Sequence, residues 1–224
     1  MFLSIDAGNS NIVFGFYQEL NDSWEEGLRI PTNKDLKVFN LERKIAMYFL
    51  EKGWGTDSID QIGISTVVPD LEPVLINFCR RFFGKEPFVI NENSYEKLPV
   101  KAMNSREIGS DLMANITAAY LQFKAACIVI DFGTALTFSV VNNEGEVIGV
   151  NIVPGIKTAI NSLFNKTAKL PKVELELPES ALGKNTVHAI QAGIFYGYSG
   201  LVNGMVEAIE KETGKEYQLL VTGG

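Results

Sequence analysis

One pattern occurs twice along this chain of 224 residues, and it restricts the fold more than any other feature. Phe2-Leu3-Ser4-Ile5 is an apolar run that stops at Asp6-Ala7-Gly8-Asn9-Ser10, and Ile12-Val13-Phe14-Gly15-Phe16-Tyr17 resumes it at once. Farther on, Cys127-Ile128-Val129-Ile130 leads into Asp131-Phe132-Gly133-Thr134-Ala135 and returns as Leu136-Thr137-Phe138-Ser139-Val140-Val141. An apolar run, a polar tip with Asp-x-Gly and a second apolar run read as strand, turn, strand. Two such hairpins in one chain suggest an internal duplication.

Helical spacing fills the intervals. Residues 36–52 place Leu41, Ile45, Met47, Tyr48 and Leu50 on a helix stopped by Gly53. Residues 61–65 predict a buried strand that ends at Thr66-Val67-Val68-Pro69, residues 71–83 a helix and residues 87–90 a short strand. Residues 106–123 read as a helix that opens near Gly109-Ser110-Asp111, followed after the second hairpin by a strand over 146–152. Helices over 156–166 and 186–213 and a strand over 219–221 complete the set. That strand runs into Thr222-Gly223-Gly224, a sequence that ordinarily leads to a further loop and helix, so the C-terminus reads as a truncation. Phe78, Phe82, Phe83 and Phe88 read as core packing, Glu174 and Glu176 as the solvated face of a strand, and residues 207–216 as an exposed helix end.

Composition removes several function classes. Hydrophobic residues are 46 % and charged residues 21 %, the balance of an ordinary globular protein. Twenty Lys+Arg against 27 Asp+Glu leave a net charge of -7, and no basic cluster exceeds Arg80-Arg81, which disfavours nucleic acid as a partner. Cys79 and Cys127 lie in apolar stretches and read as reduced core thiols of a cytosol-like, cytoplasmic compartment. A single histidine, His188, excludes a His-rich metal site and any Ser-His-Asp triad that does not use it, and reads as structural. No span approaches the ~18 apolar residues of a membrane helix, and no basic region with a cleavage site marks a signal peptide.

The hairpin tips carry the chemistry. Gly8 lets backbone approach an anion closely, Asn9, Ser10 and Asn11 offer donors, and Asp6 can hold hydrated Mg²⁺. A bare tight turn is the competing reading of one such tip; the second copy favours phosphate handling. Asp131 adds another carboxylate, and Thr134 and Thr137 a pair of hydroxyls, suited to a cation and phosphates. Asp111 reads either as a helix cap, stabilising by about 1 kcal/mol, or as a general base that takes the proton of an attacking hydroxyl.

Asp6-Ala7-Gly8-Asn9-Ser10-Asn11, Ser65-Thr66-Val67-Val68-Pro69, Glu107-Ile108-Gly109-Ser110-Asp111 and Asp131-Phe132-Gly133-Thr134-Ala135 occur in an order that resembles the type III pantothenate kinases. Pro154-Gly155-Ile156, Leu170-Pro171, Gly183-Lys184-Asn185-Thr186, Ile190-Gln191-Ala192-Gly193 and the final Thr-Gly-Gly extend the resemblance over nearly the whole chain. It implies the α/β fold of the acetate and sugar kinase/actin-like superfamily: two RNase-H-like halves, residues 1–118 and 119–224, each a mixed sheet flanked by helices, with the active cleft between them. It implies transfer of the ATP γ-phosphate to pantothenate at the first step of coenzyme A synthesis, by a homodimer that needs potassium or ammonium. On this likeness Asp6, Ala7, Gly8, Asn9, Ser10, Asn11, Ile12 and Val13 form a phosphate loop, with Asp6 also on the metal. Asp111 is the proton acceptor, Asp131 the monovalent-cation ligand, Thr134 an ATP contact, and Gly223 and Gly224 the start of the adenosine-side loop. Gly109, Ser110, Asp111 and Leu112 line the pantothenate side, with Thr186 contributed in the family from the neighbouring subunit.

Three places depart from the pattern. Leu112 stands where the family carries an arginine for the pantothenate carboxylate, and Ala102 where it often carries tyrosine. Gly149-Val150-Asn151 replaces the Gly-Gly before the Pro-Gly turn. Losing a bidentate arginine contact predicts roughly 10- to 150-fold weaker binding of the acid, unless Arg106 or Lys101 compensates. The alternatives this raises are a degenerate nucleotide-binding paralogue and a kinase for another small hydroxylated acid or sugar.

Overall fold

The computed structural model describes residues 1–33, 35–104, 107–167 and 170–223. Arg106 and Gly224 therefore lie outside the described residues. The chain divides into two compact units, Met1–Thr117 and Ala118–Gly224.

The first unit is built on a five-stranded sheet: β1 (Phe2–Ala7), β2 (Asn11–Gln18), β3 (Ser23–Pro31), β4 (Gln61–Thr66) and β5 (Phe88–Ile90), in the order β3-β2-β1-β4-β5. β1 and β2 form the first Asp-x-Gly hairpin, while β4 runs parallel to β1 on its other side. Period-two alternation decides the faces. Leu3, Ile5 and Ala7 are sealed on one face with Ile12, Phe14 and Phe16, and Asp6 is left on the other. Helix α1 (Val38–Lys52) covers the apolar face with Leu41, Ile45 and Phe49, at intervals of four. Met47 and Leu50, which the periodicity also placed on the apolar stripe, are 60 % and 83 % exposed: the stripe follows Phe49 instead. Helix α2 (Glu72–Phe78) continues through a π-helical turn, Cys79–Phe83, and packs Phe78 edge-on to Phe14 at 6.3 Å. Phe88 is half exposed on the edge strand β5, so it is not the core residue expected.

Strand β3 has no counterpart among the sequence expectations. Its partners on the buried face of β2, Phe14 and Phe16, meet Leu28 and Glu25, three residues apart rather than two. That bulge breaks the alternation from which a strand is read.

The second unit repeats the plan. β6 (Cys127–Phe132), β7 (Ala135–Val141), β8 (Val147–Pro154) and β9 (Gln218–Gly223) are ordered β8-β7-β6-β9, an antiparallel three-strand meander with a parallel strand beside its first member. This is the arrangement of β3-β2-β1-β4, and it accounts for the repeated motif. Ile128, Ile130, Leu136, Phe138 and Val140 form a core with Val206 and Tyr217, and Val206 comes from the long helix α5 (Thr186–Thr213). Helix α4 (Ile156–Lys166) follows β8, and α3 (Ser110–Phe123) carries the chain from the first unit to the second. Residues 171–178 are not a strand: Val173 is buried, whereas Leu175 and Leu177 are 51 % and 78 % exposed. The class is thus α/β, two mixed sheets with helices.

Candidate active site

In the first unit the hairpin tip is held from beneath. Gly8 N–H donates to Asn11 O at 2.9 Å, Thr32 Oγ1 donates to Gly8 O at 2.7 Å, and Thr32 N–H donates to Ser10 O at 2.9 Å. Thr66 Oγ1 and Val67 N–H both reach Ala7 O, at 3.2 Å each. Carbonyls 7, 8 and 10 are thereby committed to the scaffold, while Asn9 and Ser10 stay exposed. A β-carbon on Gly8 would meet only Asn11 O, at an ordinary 3.5 Å. Packing within the fold therefore does not by itself require glycine there.

Asp6 is exposed near the end of β1, paired in register with Ser65 on β4, so both side chains share the face opposite the core. Ser65 Oγ lies 3.0 Å from Ser110 Oγ, and Ser110 Oγ donates to Thr66 O at 3.1 Å. These buried hydroxyls fasten the first turn of α3 to the end of β4. Ser110 itself is 6 % exposed and its hydroxyl is spent on the scaffold, so its side chain positions the helix. Asp111 follows at once, half-buried, with Oδ1 accepting the Leu112 N–H at 2.7 Å. It lies inside the first helical turn and takes its neighbour's N–H, where the helix dipole favours its charge. Gly109 makes room for it, since a β-carbon there would be 2.6 Å from Asp111 Oδ1.

Tyr95 secures the approach to this turn. Its hydroxyl donates to Ile108 O at 3.0 Å. Burial, then the Asp111 carboxylate, then Glu92 push its pKa upward, so it remains a donor. A cavity of about 360 Å³ opens here, lined by Thr66, Tyr95, Ile108, Gly109 and Ser110 and bordered by Glu72, Glu92 and Glu107.

The second unit gathers a different set. Asp131 ends β6 in register with Thr137 on β7 and Thr222 on β9. The turn after it carries Gly133 and Thr134, and Thr134 O accepts Gly155 N–H at 3.0 Å and Thr158 Oγ1 at 2.7 Å. Gly155, just ahead of α4, is pressed onto this turn: a β-carbon would come within 2.7 Å of Thr134 O and closer still to Gly133 O. Gly223 closes the other side of Asp131. Thr186 is the first residue of α5, exposed, beside the cap Asn185, whose Oδ1 accepts His188 N–H at 2.9 Å. The His188 ring contacts Ser180 O at 3.0 Å, a structural role.

So Asp6, Gly109, Ser110, Asp111 and Leu112 collect at one sheet end of the first unit, and Asp131, Thr134 and Gly223 at the corresponding end of the second, with Thr186 on a separate element. Thr32 and Tyr95 were not legible beforehand, because one follows the unassigned β3 and the other opens a single 3-10 turn, Tyr95–Lys97, without a motif.

The oxygen donors at Asp6 and Asp131 can be weighed against the cations they could hold. Among the described residues no group of three or more His, Cys, Asp or Glu could hold a metal ion. Mg²⁺ that keeps its waters and shares phosphate oxygens needs only one or two carboxylates, and Asp6 is an exposed carboxylate of that kind. Beside Asp131, the Thr137 hydroxyl is buried without a hydrogen-bond partner among the described residues, an oxygen left for something else to use.

Residues 2–208 match the family model for type III pantothenate kinase. Proteins named type III pantothenate kinase from Syntrophotalea carbinolica and Pelobacter propionicus are 38 % and 39 % identical over 226 residues, covering all of this chain and 87 % of each relative. A solved protein described as a Baf family transcriptional activator from Campylobacter jejuni shares the fold at TM-score 0.54 and 18 % identity, over 99 % of this chain and 83 % of that one. The ethanolamine utilization protein EutJ from Carboxydothermus hydrogenoformans does so at TM-score 0.55 and 14 % identity, over 99 % and 75 %.

Proposed function

Because the chain belongs to the type III pantothenate kinase family, we propose that it transfers the γ-phosphate of ATP to the primary hydroxyl of pantothenate, opening coenzyme A synthesis. The observation that carries the residue-level reading is the Ser65–Ser110 contact. It ties the start of α3, with Asp111, to the strand that runs beside Asp6.

In this reading the loop Asp6–Val13 receives ATP phosphates at its exposed residues Asn9 and Ser10. Asp6 would hold Mg²⁺ through water, and Asp131 the potassium or ammonium ion; such cations offset phosphate charge when bound. Thr134 and Gly223 belong to the nucleotide side, and Gly109, Ser110, Leu112 and Thr186 to the pantothenate side. The hydroxyl oxygen of pantothenate bonds to the γ-phosphorus as the bond to the β,γ-bridging oxygen breaks, and its proton passes to Asp111. Asp111 has one oxygen engaged by Leu112 N–H, which fixes the carboxyl plane for that transfer. A homodimer in the cytoplasm, with no nucleic-acid partner, fits the family and the net charge of -7. No described helix is long and apolar enough to cross a membrane.

One observation favours a second reading, a nucleotide-binding paralogue with weak pantothenate turnover: Leu112 offers the substrate carboxylate nothing, and Glu72, Glu92 and Glu107 border the cavity beside it. ADP release measured against pantothenate, with and without potassium or ammonium, separates the two. Saturable, cation-stimulated release is expected; release that is indifferent to pantothenate establishes the paralogue.

A further inference from the structure

Thr137 is 8 % exposed, and its Oγ1 is sealed from solvent with no hydrogen-bond partner among the described residues. A buried hydroxyl in that condition is costly and uncommon. Valine has nearly the same shape, so packing alone gives no reason for threonine. The surroundings do. The antiparallel register sets Thr137 directly across from Asp131, and the parallel register sets Thr222 on the far side of Asp131. Three oxygen-bearing side chains thus form one row across three strands. They occupy the face opposite the core that Ile130, Leu136 and Phe138 share with Val206. Directly paired residues of adjacent strands stand about 5 Å apart, a span one ion can bridge. A neutral hydroxyl beside one carboxylate suits a weakly hydrated monovalent cation, whereas Mg²⁺ dehydrates reluctantly and is served by carboxylates and water.

The geometry points to Thr137 Oγ1 as a direct ligand of the monovalent cation at Asp131, and so to a specificity-determining residue of that seat. This rests on the reading of Asp131 as the cation ligand. Ser139 supplies an internal control: its Oγ is also buried with no partner among the described residues, one step along the same face, but it pairs with Val129 rather than with a carboxylate.

The test is a potassium titration of the thermal unfolding midpoint of the full chain, with Mg²⁺ and ADP held constant and choline chloride keeping the ionic strength fixed. The wild-type midpoint is expected to rise with potassium. Thr137→Val is expected to be at least as stable as wild type in choline, since the orphan hydroxyl is gone, yet to need about tenfold more potassium for half the response. Thr137→Ser should respond within about threefold of wild type, and Ser139→Ala should leave the potassium dependence unchanged. If Thr137→Val keeps the wild-type potassium response, the inference falls while the Asp131 assignment stands. If wild type responds to neither potassium nor ammonium, both fall. If Thr137→Val is less stable than wild type already in choline, the hydroxyl has a use within the fold and the inference falls with it.

Discussion

A β-carbon on Gly223 would lie 2.5 Å from the Asp131 carboxylate and 2.7 Å from both the backbone nitrogen and the backbone oxygen of Phe132. Gly223 also has φ +93°, a conformation that other residues adopt only under strain. Two independent constraints therefore require glycine where β9 passes Asp131. Gly223→Ala is expected to peel this last residue pair of β9 from β6 rather than to unfold the unit, since the end of an edge strand opens at low free energy. The global melting temperature should change little. The potassium requirement for turnover should rise about tenfold as Asp131 loses its fixed position, and hydrogen exchange should quicken at Val221 and Thr222.

Asp111→Asn tests the proton acceptor. The amide oxygen still accepts the Leu112 N–H, so the helix start and the melting temperature should be preserved, while the proton has nowhere to go. Turnover with pantothenate should fall by about 10²–10⁴-fold, with the KM for ATP nearly unchanged. Full turnover would remove Asp111 from the reaction.

The Ser65–Ser110 pair predicts a coupling. Ser110→Ala leaves Ser65 Oγ and Thr66 O short of a partner in a buried place, at a cost of about 1–3 kcal/mol. Ser65→Ala alone should cost less, because Ser110 keeps its bond to Thr66 O. Combining the two should be milder than the sum, with an interaction term on the order of 0.5–3 kcal/mol by urea denaturation. Additive costs would mean that the pair does not act as one latch.

The duplication was legible because it is written in local chemistry: apolar strands and Asp-x-Gly tips at Asp6 and Asp131 need no tertiary information to be recognised. What escaped depended on neighbours. β3 is hidden by its bulge opposite Phe14 and Phe16, and Thr32, which braces the first tip, is hidden with it. Met47 and Leu50 fit a helical stripe, but which stripe faces a sheet is decided by the sheet. Ser110 belongs to the substrate motif by position, and its contact with Ser65, which no spacing announces, gives its side chain a scaffold role as well. Motif and spacing name the candidates; burial and pairing then assign their work.

Leu112 is half-buried beside Asp111, at the position where the family carries arginine. If its absence is what limits the acid substrate, Leu112→Arg should lower the KM for pantothenate by roughly 10- to 150-fold through a charge-assisted contact with the carboxylate. Pantothenol, which ends in an alcohol, should gain nothing. An equal gain for both substrates would point to packing rather than to charge.

Cys79 and Cys127 give the fold an alkaline limit. Burial, with Glu86 adding a little, pushes the Cys79 thiol up from 9.0 to about 12, and burial pushes Cys127 up to about 11. Well below pH 9.0 both thiols are neutral in the folded and the unfolded chain, and neither makes stability depend on pH. Above it, the unfolded thiols release protons that the folded ones retain, so stability falls as pH rises, up to about pH 11 for Cys127 and about 12 for Cys79. The slope should approach about 1.4 kcal/mol per pH unit for each thiol. Lysines and tyrosines titrate in the same window, so the comparison has to be between variants. Cys79→Ala lowers stability at every pH by emptying core volume, but its urea midpoint should decline less steeply between pH 9 and 11 than that of wild type. Parallel declines would mean that the Cys79 thiol ionises as readily inside the fold as outside it.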